Sequence, residues 1–219
     1  MSVQPLYEPP RFIAIEGPIR VGKTSLADLL AERLNALRLR DVEDNPFLGS
    51  FYKEEAGAAL QAQLYFLLKR FKQSQALDLS ANAHRLVVAD YLFEKDKIFA
   101  YLTLRDDELK LYENLLTAIE KTIPPPDLVI YLQSSVDRLM ENIRKRGREM
   151  EKNMSEEYIK ELNEAYNYFF FRYKSTPLLI VKATDIDFVN NPDHFEDLLT
   201  QILRPNKAPV EYYNPLVQK

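Results

Sequence analysis

The fold is decided at Phe12-Ile13-Ala14-Ile15-Glu16 and the loop that follows it, Gly17-Pro18-Ile19-Arg20-Val21-Gly22-Lys23-Thr24. The first run is short and nearly continuously apolar, as expected for a strand buried on both faces. Beyond the loop, Leu26, Leu29, Leu30, Leu34 and Leu37 recur at helical spacing. The connection therefore has the form G-x-x-x-x-G-K-[ST] between a strand and a helix, the context that gives the spacing its meaning. Successive backbone N–H groups and the positive end of a helix dipole make such a loop a concave anion site. In that geometry Lys23 reaches the outer phosphates as a point charge, and the Thr24 hydroxyl ligates the accompanying Mg²⁺. An ordinary turn with two glycines is the bland alternative, and it does not account for every motif position and both flanks being filled.

Outward from the loop, strands and helices alternate. Leu37 to Val42 alternates in polarity, and its later part reads as a second strand. A long helical pattern runs from about 55 to 79. Leu86-Val87-Val88-Ala89-Asp90 is a buried strand ending in a carboxylate. Helical stretches follow at about 94–103 and 106–121. After Pro124-Pro125-Pro126 come a strand at 127–132 and a helix that runs into the basic knot Arg144-Lys145-Arg146-Gly147-Arg148. A helical, aromatic-rich stretch covers 155–174, a last strand 177–181 and a last helix 193–203. This order implies a three-layer α/β fold with a five-stranded parallel sheet and a ligand crevice beyond the carboxyl ends of its strands. Residues 1–11 read as an irregular lead-in, 12–204 as one domain with a lid at about 144–154, and 205–219 as an extended tail.

Bulk properties narrow the class. The 219 residues suffice for one domain with a full core. Apolar residues make up 46% and charged residues 28%, ordinary for a soluble globular protein. A net charge of −4 argues against nucleic acid as the partner. The absence of cysteine excludes disulfide and thiol chemistry. His84 and His194 alone make a zinc site improbable and read as structural or surface residues. No run approaches membrane-spanning length and the N-terminus lacks an apolar leader, so a cytoplasmic enzyme, where ATP is plentiful, is the expectation.

Several polar groups fall just after strands. Asp90 suits a carboxylate acting on Mg²⁺ directly or through water; a strand-end cap is its alternative reading. The cations at 144–148 repel one another unless an anion sits among them. A lid over transferring phosphates needs such cations, with Gly147 as its hinge, although cations at a helix C-terminus are also common for dipole reasons alone. Asp41, Glu43 and Asp44 form an acidic cluster from which a carboxylate can orient an acceptor hydroxyl and take its proton. Gln63 and Arg70 share one face of the long helix, and an amide there can read a base edge. The aromatic run from Tyr166 to Tyr173 reads as core and helix–helix interface.

Together these segments resemble the deoxynucleoside kinase family, the deoxycytidine/deoxyguanosine/deoxyadenosine kinase group, and its bacterial branch in particular. The resemblance rests on Ile15-Glu16-Gly17 to Ser25, on Asp41-Val42-Glu43-Asp44-Asn45-Pro46-Phe47-Leu48 with Phe51-Tyr52, and on Gln63 to Leu67 with Arg70-Phe71. It continues through Asp90-Tyr91-Leu92-Phe93, Pro126 to Leu132 and Arg146-Gly147-Arg148-Glu149 with Glu151. It implies ATP-dependent phosphorylation of a deoxynucleoside 5′-hydroxyl, with Mg²⁺, by a homodimer. Gly17, Pro18, Ile19, Arg20, Val21, Gly22, Lys23, Thr24 and Ser25 then hold ATP, and Thr24 and Asp90 serve the metal. Lys23, Asp41, Glu43, Asp90, Arg146 and Arg148 are the implied catalytic set. Tyr52 and Glu151 look like the pair on the sugar 3′-hydroxyl, and Gln63, Arg70 and Asp96 like base readers.

The chain departs from the family pattern twice. Arg40 stands where the family has its glutamate base, which leaves Asp41 or Glu43 for that task, because arginine is no base at neutral pH. Tyr91 stands where an arginine usually follows the strand-end acid, and the stretch up to Ile98-Phe99-Ala100 is one residue short, so that Lys95 or Asp96 faces the base. Two other readings accompany the main one: a nucleotide-binding partner subunit that has lost catalysis, and a nucleoside monophosphate kinase. The acidic 41–44 loop argues against the latter, since it repels a second phosphate.

Overall fold

The structure, a computed structural model, describes residues 10–77, 85–147, 154–205 and 208–215. Strand β1 (Phe12–Glu16) leads through the phosphate loop into helix α1 (Lys23–Arg33). Strand β2 (Leu37–Leu39), the short helix α2 (Leu48–Phe51) and the long helix α3 (Ala58–Gln75) follow. Next come β3 (Val87–Ala89), α4 (Asp96–Thr103) and α5 (Asp106–Glu120). Then β4 (Leu128–Gln133) precedes α6 (Val136–Arg146) and α7 (Glu156–Arg172). The chain closes with β5 (Leu178–Lys182), α8 (Pro192–Leu203) and β6 (Val210–Tyr213).

The strands form one sheet in the order β2-β3-β1-β4-β5-β6, every neighbouring pair parallel. The chain first builds to one side of β1 and then to the other, so the strand order reverses beside the phosphate loop, where α/β sheets open a crevice. Side-chain alternation divides the core. Ile13 and Ile15 face α1, α6 and α8, packing with Leu26, Leu30, Leu139 and Leu198. Ala14, Val129 and Tyr131 face α4 and α7, packing with Ile98, Leu162, Tyr166 and Phe170. The rings of Tyr131 and Phe170 stack with centroids 4.1 Å apart, an arrangement that adds about 0.5–1.5 kcal/mol beyond area burial. Leu67, Ala100, Tyr112 and Leu116 form a third cluster that ties α3, α4 and α5 together.

Two expectations are corrected. The sheet has six strands, not five. Val210–Tyr213, expected as part of an extended tail, pairs in register with Leu178–Val181. The flanking prolines permit this at a sheet edge: the Pro209 carbonyl accepts the Leu178 N–H at 3.0 Å. Arg204 and Glu211 (2.7 Å) and the Tyr213 hydroxyl donating to Asp197 fasten the strand to α8. Second, β2 occupies the earlier part of its alternating segment, Leu37–Leu39, and stops before Arg40, where the chain swings away to carry Asp41 towards the loop. Gly147 caps α6 in the left-handed conformation (φ 59°), which glycine adopts without a Cβ penalty. In the aromatic run, Tyr166, Phe170 and Tyr173 are buried while Tyr168 and Phe171 are exposed. His194 accepts the Asp187 N–H through Nδ1 at 3.1 Å, a structural role; His84 lies outside the described residues. Among the described residues, no helix is long and apolar enough to cross a membrane.

Candidate active site

The loop between β1 and α1 is built to let backbone pass close to backbone. A Cβ on Gly17 stands 2.5 Å from the Leu132 carbonyl oxygen, a contact no side chain tolerates. Gly22 sits at φ 111° as the N-cap of α1, where a Cβ meets the Phe188 ring at 2.9 Å. Arg20 also takes a positive φ of 66°. The loop is anchored from below by Glu16, which is fully buried. Its Oε1 accepts the Gly17 N–H (2.8 Å) and the Tyr166 hydroxyl (3.1 Å), and its Oε2 accepts the Leu92 N–H (3.0 Å). Sequence reasoning did not single out Glu16, because its role depends on two distant partners, Leu92 and Tyr166.

Lys23 turns its ammonium onto the loop, donating to the carbonyls of Gly17 (2.5 Å) and Pro18 (3.1 Å), with Glu16 at 3.6 Å. Burial lowers its pKa, an effect that Glu16 opposes. The loop residues Ile19 to Ser25 border a cavity of about 580 Å³, which Arg138, Lys145 and Arg146 also line. Arg146 thus borders the same cavity as the phosphate loop. Arg148 and Glu151 lie outside the described residues.

At the end of β3, Asp90 is a node. Its Oδ2 accepts the Thr24 hydroxyl (2.8 Å) and lies 2.8 Å from the Arg38 guanidinium, while its Oδ1 accepts the Asp41 N–H (2.6 Å). Burial on its own raises the Asp90 pKa, yet Arg38, Thr24 and the Asp41 N–H together hold it below the usual carboxylate range. A hydroxyl and a carboxylate side by side are hard oxygen donors that suit Mg²⁺, which takes few protein ligands and keeps waters and phosphates in its shell. Arg38 was not foreseen: its residue type on an alternating strand gives no sign that it reaches under Asp90.

Asp41 and Glu43, the two candidate bases, separate. The Asp41 carboxylate faces the interior, receiving Arg70 Nε on Oδ1 (2.8 Å) and Lys95 Nζ on Oδ2 (2.5 Å). Burial pushes its pKa up, but these two cations outweigh it and hold the group well below the usual range. Glu43 is exposed and borders neither cavity described here. Arg40 points outward to Asp28 (3.2 Å). Tyr91 is buried, its ring centre 5.7 Å from the Arg70 guanidinium.

A second cavity, about 180 Å³, opens beside the first. Tyr52, Gln63, Arg70 and Asp96 all line it, so the residues expected around an acceptor converge. Arg70 bridges Asp41 and Asp96, both of which raise its pKa against the effect of burial. Asp96 is almost completely buried, and burial outweighs Arg70, pushing its pKa up to about 6. Its Oδ2 has no hydrogen-bond partner among the described residues. The Gln63 amide donates to Thr103 at 3.3 Å. Ile19, Asp41, Lys95 and Phe99 border both cavities.

Comparison with known proteins identifies the family. The family model "Deoxynucleoside kinase" matches residues 13–205. The chain is 33% identical over 197 residues to a deoxyguanosine kinase of Bacillus subtilis, covering 87% of this chain and 95% of that one. It is 30% identical over 198 residues to a deoxyadenosine/deoxycytidine kinase of the same organism, covering 87% and 90%. A solved deoxyadenosine kinase from M. mycoides, with dCMP and a flexible dCDP bound, superposes with a TM-score of 0.75 at 24% identity, over 87% of this chain and 98% of that one. The chain belongs to the deoxynucleoside kinase family.

Proposed function

We propose that this protein transfers the terminal phosphoryl group of ATP to the 5′-hydroxyl of a deoxynucleoside, giving the 5′-monophosphate and ADP. The observation that carries this reading is the meeting of the two cavities. The phosphate-loop cavity and the cavity lined by Tyr52, Gln63, Arg70 and Asp96 share one acid, Asp41. A donor held by Gly17–Ser25 and a hydroxyl held over Asp41 are then brought together, and positioning is most of what phosphoryl transfer asks of a protein.

In this scheme Thr24 and Asp90 hold Mg²⁺, which neutralises phosphate charge when bound. Lys23, Arg146 and Arg148 stabilise charge on the phosphoryl oxygens. Asp41 orients the acceptor hydroxyl and receives its proton as the new O–P bond forms and the bond to the leaving ADP oxygen breaks. A carboxylate held by two cations is a weak base, which suits a loose transition state in which the hydroxyl loses its proton late. Tyr52 and Glu151 take the sugar 3′-hydroxyl. Gln63, Arg70 and Asp96 face the base; the partnerless Asp96 oxygen favours a base that offers an N–H donor there. In the acceptor cavity Arg70 and Lys95 are already paired with Asp41 and Asp96, which leaves no spare cation there among the described residues for an acceptor phosphate and argues against a monophosphate kinase. The convergence of Thr24, Asp90 and Asp41 beside the phosphate loop argues against an inactive partner subunit.

A homodimer in the cytoplasm fits as well. Tyr101 and Leu102 on α4 and Tyr168 and Phe171 on α7 are exposed along one face, with a shallow cavity between the two helices. Large apolar side chains exposed together on two neighbouring helices fit an interface. The function is tested by assaying turnover with ATP and Mg²⁺ on the four deoxynucleosides, beside Lys23→Ala. Phosphorylation of at least one of them, lost in the variant, is expected; no product with any nucleoside refutes the reading.

A further inference from the structure

Lys95 ends the single 3-10 turn Phe93–Lys95 that joins β3 to α4. Its side chain is only 7% exposed, a costly position for a flexible ammonium unless it is paired. The partners are there: Asp41 Oδ2 at 2.5 Å and Glu16 Oε2 at 4.0 Å. Asp41 shares Arg70 with Asp96, so Lys95 helps to balance the buried acids, but pairing alone does not set where the second cation stands.

The position of Lys95 supplies a reason. Arg20, Lys23, Arg138, Lys145 and Arg146 border the donor cavity, and Arg70 borders the acceptor cavity. Among the described residues, Lys95 is the cation that borders both. It stands at the crossing where the phosphoryl group leaves one cavity for the other. Arg70 does different work: its guanidinium is spent between Asp41 and Asp96 on the acceptor side. A lysine serves where a compact charge on a rotatable stem must hold one anion and face another, which a forked guanidinium locked to two carboxylates does not do.

We infer that Lys95 is a positioning residue for the phosphoryl transfer, holding Asp41 towards the acceptor hydroxyl with its ammonium turned to the path of the transferring group. The inference rests on the deoxynucleoside kinase reading. In the step itself the hydroxyl proton passes to Asp41, the acceptor oxygen bonds to the γ-phosphorus, and the bond to the leaving ADP oxygen breaks. Lys95 keeps its protons throughout and contributes charge and geometry.

The absence of cysteine from the chain permits a decisive test. Lys95→Cys gives one alkylation site. 2-Bromoethylamine there regenerates an ammonium at nearly lysine length, and 2-bromoethanol gives a neutral side chain of the same reach. In the Cys variant kcat is expected to fall about 100-fold or more, the scale of losing one preorganised charged contact, with KM for the deoxynucleoside within a few-fold of the parent. Aminoethylation restores at least tenfold and hydroxyethylation none. A purely space-filling lysine predicts equal recovery by both reagents, and one whose ion pairs serve only the fold predicts affinity and Tm moving alongside kcat, a pattern that also overturns the inference. Equal recovery, no recovery after modification confirmed by mass in a folded protein, or a Cys variant within threefold of the parent overturns the inference. Should Lys95→Cys not fold, Lys95→Arg and Lys95→Met decide it: the arginine stays within about tenfold of the parent and the methionine matches the expected loss; equal rates in the two overturn it. A parent protein that phosphorylates no deoxynucleoside sinks the functional reading itself, whereas an active parent with any of the contrary results sinks Lys95 alone.

Discussion

The carboxylate of Asp90 accepts the backbone N–H of Asp41 at 2.6 Å, across 49 residues of sequence. One side chain thus touches the Thr24 hydroxyl beside the phosphate loop and also fixes the backbone of the acid that faces the acceptor cavity. The donor side and the acceptor side are coupled through it. Replacing Asp90 with Asn keeps an acceptor oxygen but removes the charge. That variant is expected to lose about 100-fold in kcat and to need more Mg²⁺ for half-maximal rate. Asp90→Ala also orphans the buried Asp41 N–H, at an added cost of about 1–3 kcal/mol in urea unfolding. A parent-like Mg²⁺ titration in Asp90→Asn rules out the metal role.

Asp41 and Glu43 are separated by their surroundings rather than by chemistry. Asp41→Ala is expected to lower kcat by about 100- to 10,000-fold, and Glu43→Ala to leave it within about threefold of the parent, as a surface change does. Asp41→Ala also leaves Arg70 and Lys95 without their shared anion, so its unfolding midpoint should drop too. Steady-state kinetics on both variants checks the assignment; the opposite ranking moves the acid to Glu43.

The pH dependence turns on Asp96. Its folded pKa, pushed up to about 6 by burial, lies above the unfolded value. Its contribution to stability is therefore fully present below the unfolded value of about 4 and is lost as pH rises through about 6. Asp41, depressed by Arg70 and Lys95, works the other way: its contribution is present above the unfolded value and is lost on acidification. In activity, kcat/KM for the deoxynucleoside should fall on the acid side with a midpoint of about 6 as Asp96 protonates in the free enzyme. Asp96→Asn should abolish that limb and lower kcat/KM at neutral pH. A limb that persists in the variant belongs to another group.

Gly17→Ala puts a methyl group 2.5 Å from the Leu132 carbonyl oxygen, a main-chain atom, and 2.9 Å from the Val21 side chain. The loop must move, and both Tm and ATP affinity are expected to fall, the latter by about tenfold or more if the strain reaches about 1–3 kcal/mol. Gly49→Ala is the matching control. It lies in α2 with nothing within 4 Å of the new Cβ, so it should be neutral or stabilising by up to about 1 kcal/mol. Thermal melts and nucleotide titration of the two variants measure the contrast.

Phe171 is 80% exposed on α7. If its face forms the proposed dimer, Phe171→Glu should shift the sedimentation coefficient from a dimer towards the 25.6 kDa monomer without changing the circular dichroism spectrum. A parent protein that sediments as a monomer at micromolar concentration removes the dimer.

Much of this site could be read from the residue order, and the rest fails for identifiable reasons. The phosphate loop, Asp90 at a strand end and the Gln63–Arg70 helix face are local patterns, set by spacing along one element. Glu16 and Arg38 escaped, and Lys95 stood only as an alternative to Asp96 at the base, because their meaning is made by contacts between elements. Glu16 looks like the polar end of an apolar strand until Tyr166 and Leu92 arrive on it. Asp41 rather than Arg40 turns inward because β2 ends earlier than its alternation suggests. The tail strand was hidden by Pro209 and Pro215, which punctuate a sequence without preventing an edge strand between them.

That tail strand bears on how the chain is made. The strand β5 is Leu178-Leu179-Ile180-Val181-Lys182, and its outer hydrogen bonds go to β6, some thirty residues later. During synthesis, an apolar parallel strand therefore waits with its edge bare until α8 and Val210–Tyr213 have emerged, the condition under which strands pair with the wrong chain. Cutting the protein after α8 would leave every phosphate-loop and acceptor residue in place. Its first symptom would be aggregation during expression, before any change in catalysis.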